Sequence, residues 1–462
     1  MSVASLESRP DRRTVVGPPA GRWGAVEAFV LVAYLSSALL FVPGAQSYRH
    51  LVRGLPFATS VLLLGWWLVR GAPVRWERPG AIALACALVI LGIGLAHPDT
   101  TFFCGMTQIV FQLAITGPFF WLESQAIGPS RVRRLLGLIF LVNAASACAG
   151  LLQFHYPAQF MPPAFSENLH RADGYLESLS YTDAAGRKVF RPPGLTDMPG
   201  GAAVGCGVTA VLGLVFAARP GRRLPYRLAC VALAGVGLYT LYLTLIRSTL
   251  LSVVAVFAVA CLLLARQVRL RHGLFLATTA SLLVVGSFLL AVTSGGAGVF
   301  QRFTGLFETG VVNSYQRSRG AFVEYTLTRA VFEYPFGAGV GRWGMMNYYF
   351  ARFDANPGPP LYAEIQITGW VLDGGIPLLV AYAAAVAGAL LGLYRLARGH
   401  SEVAYPALVA LCMNLIVVVQ ANAGLSFNSA EGMQFWLVTG LVFRAAAAGS
   451  GRRRVSCPNG DR

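Results

Sequence analysis

Residues 228–265 read LACVALAGVGLYTLYLTLIRSTLLSVVAVFAVACLLLA, and Arg247 is the one charged side chain in the run. Two apolar blocks, 228–246 and 249–265, flank that arginine with almost no linker. Each approaches the length of about 20 residues that a helix needs to cross a hydrocarbon core of roughly 30 Å. The stretch therefore reads as a tight hairpin of two membrane helices. The pattern recurs on both sides, at 25–43, 55–69, 81–97, 102–122, 135–155 and 199–217, then at 273–293, 376–394, 404–421 and 433–448. Composition agrees, with 55% hydrophobic and only 12% charged residues, against about 25% charged in soluble proteins. A disordered chain is excluded, and a set of ordinary soluble domains is disfavoured. The expected fold class is an all-α polytopic membrane protein with about 12 transmembrane helices and two long loops on one face.

The chain carries 37 Lys+Arg against 20 Asp+Glu, a net charge of +17, and Lys188 is the only lysine. A nucleic-acid partner would require these cations on one polar domain. They are instead scattered between apolar blocks, so no nucleic acid is expected. Short segments hold 24 of the 37: the N-terminus with Arg9, Arg12, Arg13 and Arg22, the loops with Arg70/Arg75/Arg78, Arg131/Arg133/Arg134, Arg219/Arg222/Arg223/Arg227, Arg266/Arg269/Arg271 and Arg395/Arg398, and the tail from Arg444. Cations concentrate in cytoplasmic loops, which places both termini in the cytoplasm. The expected organisation is a tail at 1–24, helices 1–5 over 25–155, an outer loop at 156–198, helices 6–9 over 199–293, a larger and partly helical outer loop at 294–375, helices 10–12 over 376–448, and a tail at 449–462. Hydrophilic connections this long are usually functional or disordered. The first contains aromatic residues and prolines, Phe160, Pro162, Pro163 and Phe165, the second contains amphipathic helical stretches, and both read as folded caps.

Eight cysteines without a CxxC pair argue against a disulfide framework or zinc site, and the larger loop has no histidine. No metal and no cofactor is expected. The first apolar block lacks a small-residue cleavage site after it and reads as a retained helix. Internal repeats are absent, so sequence symmetry gives an inverted-repeat transporter no support.

Arg247 lies on the side where the topological rule does not favour arginine. It either faces a polar cavity or snorkels to the headgroups. Tyr315-Gln316-Arg317-Ser318-Arg319-Gly320 opens an expected helix to about Glu333, which Pro335 and the glycines 337, 339 and 341 stop in a tight re-entrant loop. Phe322, Tyr325, Leu327, Ala330, Val331 and Tyr334 form a stripe suited to a membrane surface. Arg317 and Arg319 bind an anionic substrate or form a solvated face. Glu364, in an apolar and aromatic segment about three turns before membrane re-entry, is a general base or a salt-bridge partner of a loop arginine. Arg191, with Arg187 and Lys188, suits a phosphate at headgroup height or attraction to anionic lipid. His155, Asn143, Asn414, Gln420 and Asn428 read as scattered polar residues of the spans, and Glu431 as a candidate cavity lining.

Three features together resemble the O-antigen ligase and O-antigen polymerase family of bacterial inner membranes. They are Leu245-Ile246-Arg247-Ser248 between two spans, the long loop with Arg319 followed by Glu333-Tyr334-Pro335-Phe336-Gly337-Ala338-Gly339-Val340-Gly341, and its closing segment through Gly375-Ile376-Pro377. Gly194-Leu195 and Pro199-Gly200-Gly201 add to the likeness. The motifs cover about residues 150–395, and the topology covers the chain. The resemblance implies metal-independent glycosyl transfer at the periplasmic face of the inner membrane, from a glycan on undecaprenyl diphosphate. Arg247 and Arg319 match the family's arginines, Arg317 is the register alternative for diphosphate binding, and Arg191 is a weaker addition. Where ligases carry a histidine followed by asparagine, about eleven residues before the glycine that matches Gly375, this chain has Glu364 followed by Ile365. That departure points to the polymerase branch, whose acceptor is another lipid-linked repeat unit. The ten-residue Arg–Gly spacing of some polymerases is absent, because nine residues separate Arg191 from Gly201 and Arg329 from Gly339.

The expected function is thus an exopolysaccharide or O-antigen polymerase, with Glu364, Arg247 and Arg319 catalytic and Arg191, Arg247, Arg317 and Arg319 on the diphosphate. Its partners would be an undecaprenyl-diphosphate-linked oligosaccharide, membrane lipid, a chain-length regulator and a flippase. An O-antigen ligase, a transporter of a lipid-linked glycan and a structural subunit of an assembly complex remain the alternatives.

Overall fold

The computed structural model describes residues 23–42, 44–71, 73–161, 179–182, 186, 188–219, 221–267, 270–308, 310–353 and 361–455. Most of the N-terminal tail, Pro162, Pro163 and Phe165 of the first long loop, Arg187, Pro359, Pro360 and the end of the C-terminal tail lie outside the described residues.

Each of the apolar blocks forms a helix, as a chain without water must when its peptide groups can pair only within a segment. They are α1 (Ala25–Leu35), α2 (Arg49–Val69), α3 (Ala81–Ile93), α4 (Phe102–Trp121), α5 (Pro129–His155), α6 (Pro199–Ala217) and α7 (Leu224–Leu243). After the hairpin turn follow α8 (Arg247–Gln267) and α9 (Leu270–Glu308). A cap helix α10 spans 311–333 and a short α11 covers Gly344–Phe350, before α12 (Gln366–Arg398), α13 (Ala404–Gln420) and α14 (Ala430–Val455). About 80% of the described residues are helical, consistent with an all-α membrane protein. Among the described residues, seven helices are long and apolar enough to cross a membrane, and four more apolar helices are shorter. Among the described residues, the strands are β1 (Ser180–Thr182) and β2 (Lys188–Phe190), an antiparallel ribbon with Tyr181 opposite Val189.

Small residues let the helices approach. A Cβ on Gly213 would lie 2.6 Å from the Cys230 carbonyl oxygen, and one on Gly237 would lie 2.8 Å from that of Cys206. α6 and α7 thus pack backbone to backbone, as small residues permit in membranes. A second centre is aromatic: Phe119 meets Trp436 edge-on at 5.4 Å, and Trp370 stacks on Tyr382 at 4.6 Å.

Charges segregate to the two ends of the bundle. At one end Glu27 of α1 is held by Arg131 at 2.6 Å and Arg134 at 2.5 Å, both from the start of α5. Nearby, Glu123 pairs with Arg78 and Arg75, while Arg444 of α14 donates to the Gln125 carbonyl at 2.9 Å. Burial lowers Arg78 to about 10, with the Glu123 charge opposing the shift. α1 therefore begins at the end where α14 runs out. At the other end Asp197 clamps Arg49 at 3.0 Å and Arg53 at 3.1 Å.

The larger loop is more helical than its composition implies. α9 runs past the expected span end at 293 to Glu308, broken only at Gly296 (φ 68°, ψ −157°). α12 starts ten residues before the expected re-entry at 376 and breaks at Gly374 and Gly375. In α10, Gln316–Gly320 and Thr326–Ala330 are π-helical turns. The expected stripe is accordingly divided: Ala330 is buried, while Tyr325 and Leu327 are exposed. Thr326, outside that stripe, is buried and hydrogen-bonds Thr368 of α12 at 2.6 Å.

Candidate functional site

The turn between α7 and α8 builds the first half of the site. Leu245 has φ +60° and is the one described non-glycine residue with positive φ. That conformation costs an L-residue roughly 1–2 kcal/mol. Burial of the side chain, 1% exposed against Tyr242, Ala291, Val299 and Phe303, offsets the strain, since a buried leucine contributes about 1.5–3 kcal/mol. Two arginines read the turn's carbonyls. Arg191, just after β2, donates through Nε to the Thr244 oxygen at 2.8 Å, and Arg302 of α9 donates through Nε to the Leu245 oxygen at 3.4 Å. The Arg302 guanidinium also covers the Tyr181 ring at 4.7 Å. Burial first, and then the Arg302 charge, pull Arg191 below its usual value.

Arg247 opens α8 and donates to Ser314 Oγ at 3.4 Å, while its Nε is buried without a hydrogen-bond partner. Arg302 lies close enough to Arg247 for their charges to repel. Among the described residues, neither Arg247 nor Arg302 meets a carboxylate. Guanidinium groups gathered without an acidic counterpart fit a phosphate, whose oxygens accept paired N–H groups.

α10 and the start of α12 build the second half. Arg319 forms an ion pair with Glu364, and the Tyr362 hydroxyl donates to the same carboxylate. Phe322 packs against the Tyr362 ring at 5.9 Å. The pair is only partly shielded, with Arg319 38% and Glu364 29% exposed. Arg317 is exposed, so Arg319 rather than Arg317 faces the carboxylate. The two halves meet on α10. Ser314, which receives Arg247, precedes Arg319 by five residues, the hydrogen-bond spacing of a π-helical turn such as Gln316–Gly320. The structure thus brings Arg247, Arg319 and Glu364 to one helix end, with Arg191 and Arg302 on the adjoining turn.

Sequence reasoning assigned no role to Asp373 and Arg302. Asp373 is 3% exposed and accepts from Gln108 Nε2 at 2.9 Å, Trp343 Nε1 at 2.9 Å and the Gly341 amide at 3.0 Å. It holds the glycine-rich loop after α10 in the break of α12. An acidic residue bordering an apolar span is the signal that marks it. Arg302 carries no such mark, because a cation soon after an apolar block looks like a headgroup contact.

No family model matches the chain, and no curated protein matches it.

Proposed function

We propose that the chain is a polysaccharide polymerase of the bacterial inner membrane, a metal-independent glycosyltransferase acting at the periplasmic face on undecaprenyl-diphosphate-linked repeat units. The observation that carries this reading is the meeting of Arg247 and Arg302, which face no carboxylate among the described residues, with the Arg319–Glu364 pair across one turn of α10. Arg247 and Arg302, with Arg191 beside them, would hold the donor diphosphate, and Arg317 would extend that positive field. An exposed ion pair contributes only about 0–1 kcal/mol, so a diphosphate can draw Arg319 away from Glu364 at little cost. The freed carboxylate then accepts the proton of an acceptor sugar hydroxyl. The hydroxyl oxygen bonds to the donor's anomeric carbon, and the bond from that carbon to the phosphate oxygen breaks. Undecaprenyl diphosphate leaves with the electron pair, its growing charge met by the arginines, and the single displacement inverts the anomeric configuration.

The test is the glycan profile of cells lacking the protein, with lipid-linked intermediates extracted alongside. Single repeat units accumulating on the lipid carrier or on lipid A, with long polymer lost, support polymerisation. Long polymer stranded on the carrier would instead mean transfer to lipid A core, the ligase reaction. An unchanged profile would remove glycosyl transfer altogether.

A further inference from the structure

The C-terminal end of α10 turns through Tyr334, Pro335 and Phe336 into the glycine-rich loop, forming an elbow at the break of α12. Its docking is made by main chain. The Ile376 amide donates to the Pro335 oxygen at 2.9 Å, and the Ala338 amide donates to the Leu372 oxygen at 2.7 Å. A Cβ on Gly94, just after α3, would lie 2.5 Å from Val340 Cγ2, and one on Gly374 would lie 3.1 Å from Ile90 Cγ2. The elbow therefore rests between the C-terminal end of α3 and the break of α12.

At this joint the largest side chains point outward. Phe332, in the last turn of α10, is 76% exposed and Phe336, just after it, 80%, although the same helix buries Thr326 and Ala330 completely. Leu327, in the π-helical turn at Thr326–Ala330 and five residues before Phe332, is exposed as well. Exposed apolar side chains flank the elbow: Ile376 and Val380 on α12, which is long and apolar enough to cross a membrane, and Val89 and Ile93 on the shorter apolar helix α3. Arg329 and Glu333 are exposed on the same helix end, and their chains are long enough to reach headgroup level while the rings lie deeper.

We propose that the elbow of Phe332, Pro335 and Phe336 is inserted among the acyl chains of the bilayer. This makes α10 a membrane-anchored arm, with lipid at its C-terminal end and Arg319 near its other end. The occupant follows from placement: the exposed phenylalanines sit at a joint with two apolar helices that themselves expose Ile376, Val380, Val89 and Ile93. Lipid contact at the elbow holds whatever reaction the arginine end carries out.

Benzophenone cross-linking tests it. Phe336→p-benzoylphenylalanine and, separately, Phe332→p-benzoylphenylalanine are placed in the full chain and reconstituted into dioleoylphosphatidylcholine vesicles. The same probe at Val380 is the lipid-facing control, and at Arg317 the water-facing one. After irradiation, intact mass should show gain of one phospholipid at positions 336 and 332 in yields like that at 380, and little gain at 317. No phospholipid adduct at either elbow position while 380 is labelled would overturn the proposal. So would a cross-link to a second copy of the chain, which would make the elbow a protein interface.

Discussion

Arg247 and Arg302 share a turn, but only Arg247 stands out in the sequence, as the single charge in 38 residues of apolar chain. Both lack a carboxylate partner among the described residues, and both touch the elements that fix the turn. Truncating either to alanine should lower glycosyl transfer by about 10²–10³-fold, the cost of losing one preorganised donor to a developing anion. Arg317→Ala, at an exposed position, should cost less than tenfold; an equal loss at all three would mean diffuse electrostatic attraction. Glu364→Gln keeps the size of the side chain but cannot accept the proton, and should cost about 10²–10⁴-fold, the usual worth of a general base. Wild-type rates in that variant would leave Glu364 as a partner of Arg319 and nothing more. The residues legible beforehand were charges in apolar surroundings. A salt bridge from Glu364 to a loop arginine was one of two readings open in the sequence; that the partner is Arg319 was not legible, because the two residues are far apart in the chain.

Glycine decides the element boundaries around the site. At Gly375 (φ +66°) a Cβ would lie 2.1 Å from the Pro335 oxygen, whereas at Gly296 (φ +68°) nothing lies within 4 Å. Gly296→Ala should therefore cost only the backbone strain, about 1–3 kcal/mol. Gly375→Ala adds a clash with main chain that cannot move aside, and should lower the thermal midpoint of the detergent-solubilised protein well beyond Gly296→Ala. Equal shifts would show that the elbow is not docked as described. Hydropathy located these helices but not their continuations, because it reports apolar blocks and not whether a chain resumes a helix after a glycine break. The stripe from Phe322 to Tyr334 was read with a period of 3.6, and two π-helical turns moved Leu327 to the outer face.

Across the whole molecule, the charge pattern of the sequence reappears as two polar ends. The clamp at Glu27 ties the start of α1 to the start of α5, with the carboxylate only 2% exposed. Glu27→Gln would leave two guanidinium groups facing an amide and should destabilise the bundle by about 3–5 kcal/mol, the cost of breaking a buried pair. A thermal midpoint within 2 °C of wild type, roughly the shift expected from less than 1 kcal/mol, would show the clamp to be dispensable. The opposite end carries the proposed chemistry, in which arginines and one glutamate transfer a glycan from a polyprenyl diphosphate. The direct measurement uses the purified protein in vesicles supplied with one undecaprenyl-diphosphate-linked repeat unit, with products resolved by size. A polymerase gives a ladder rising by one repeat unit per step, one undecaprenyl diphosphate released for each bond formed, and no ladder with Arg247→Ala. Folded wild-type protein that leaves the lipid-linked unit unextended would contradict it.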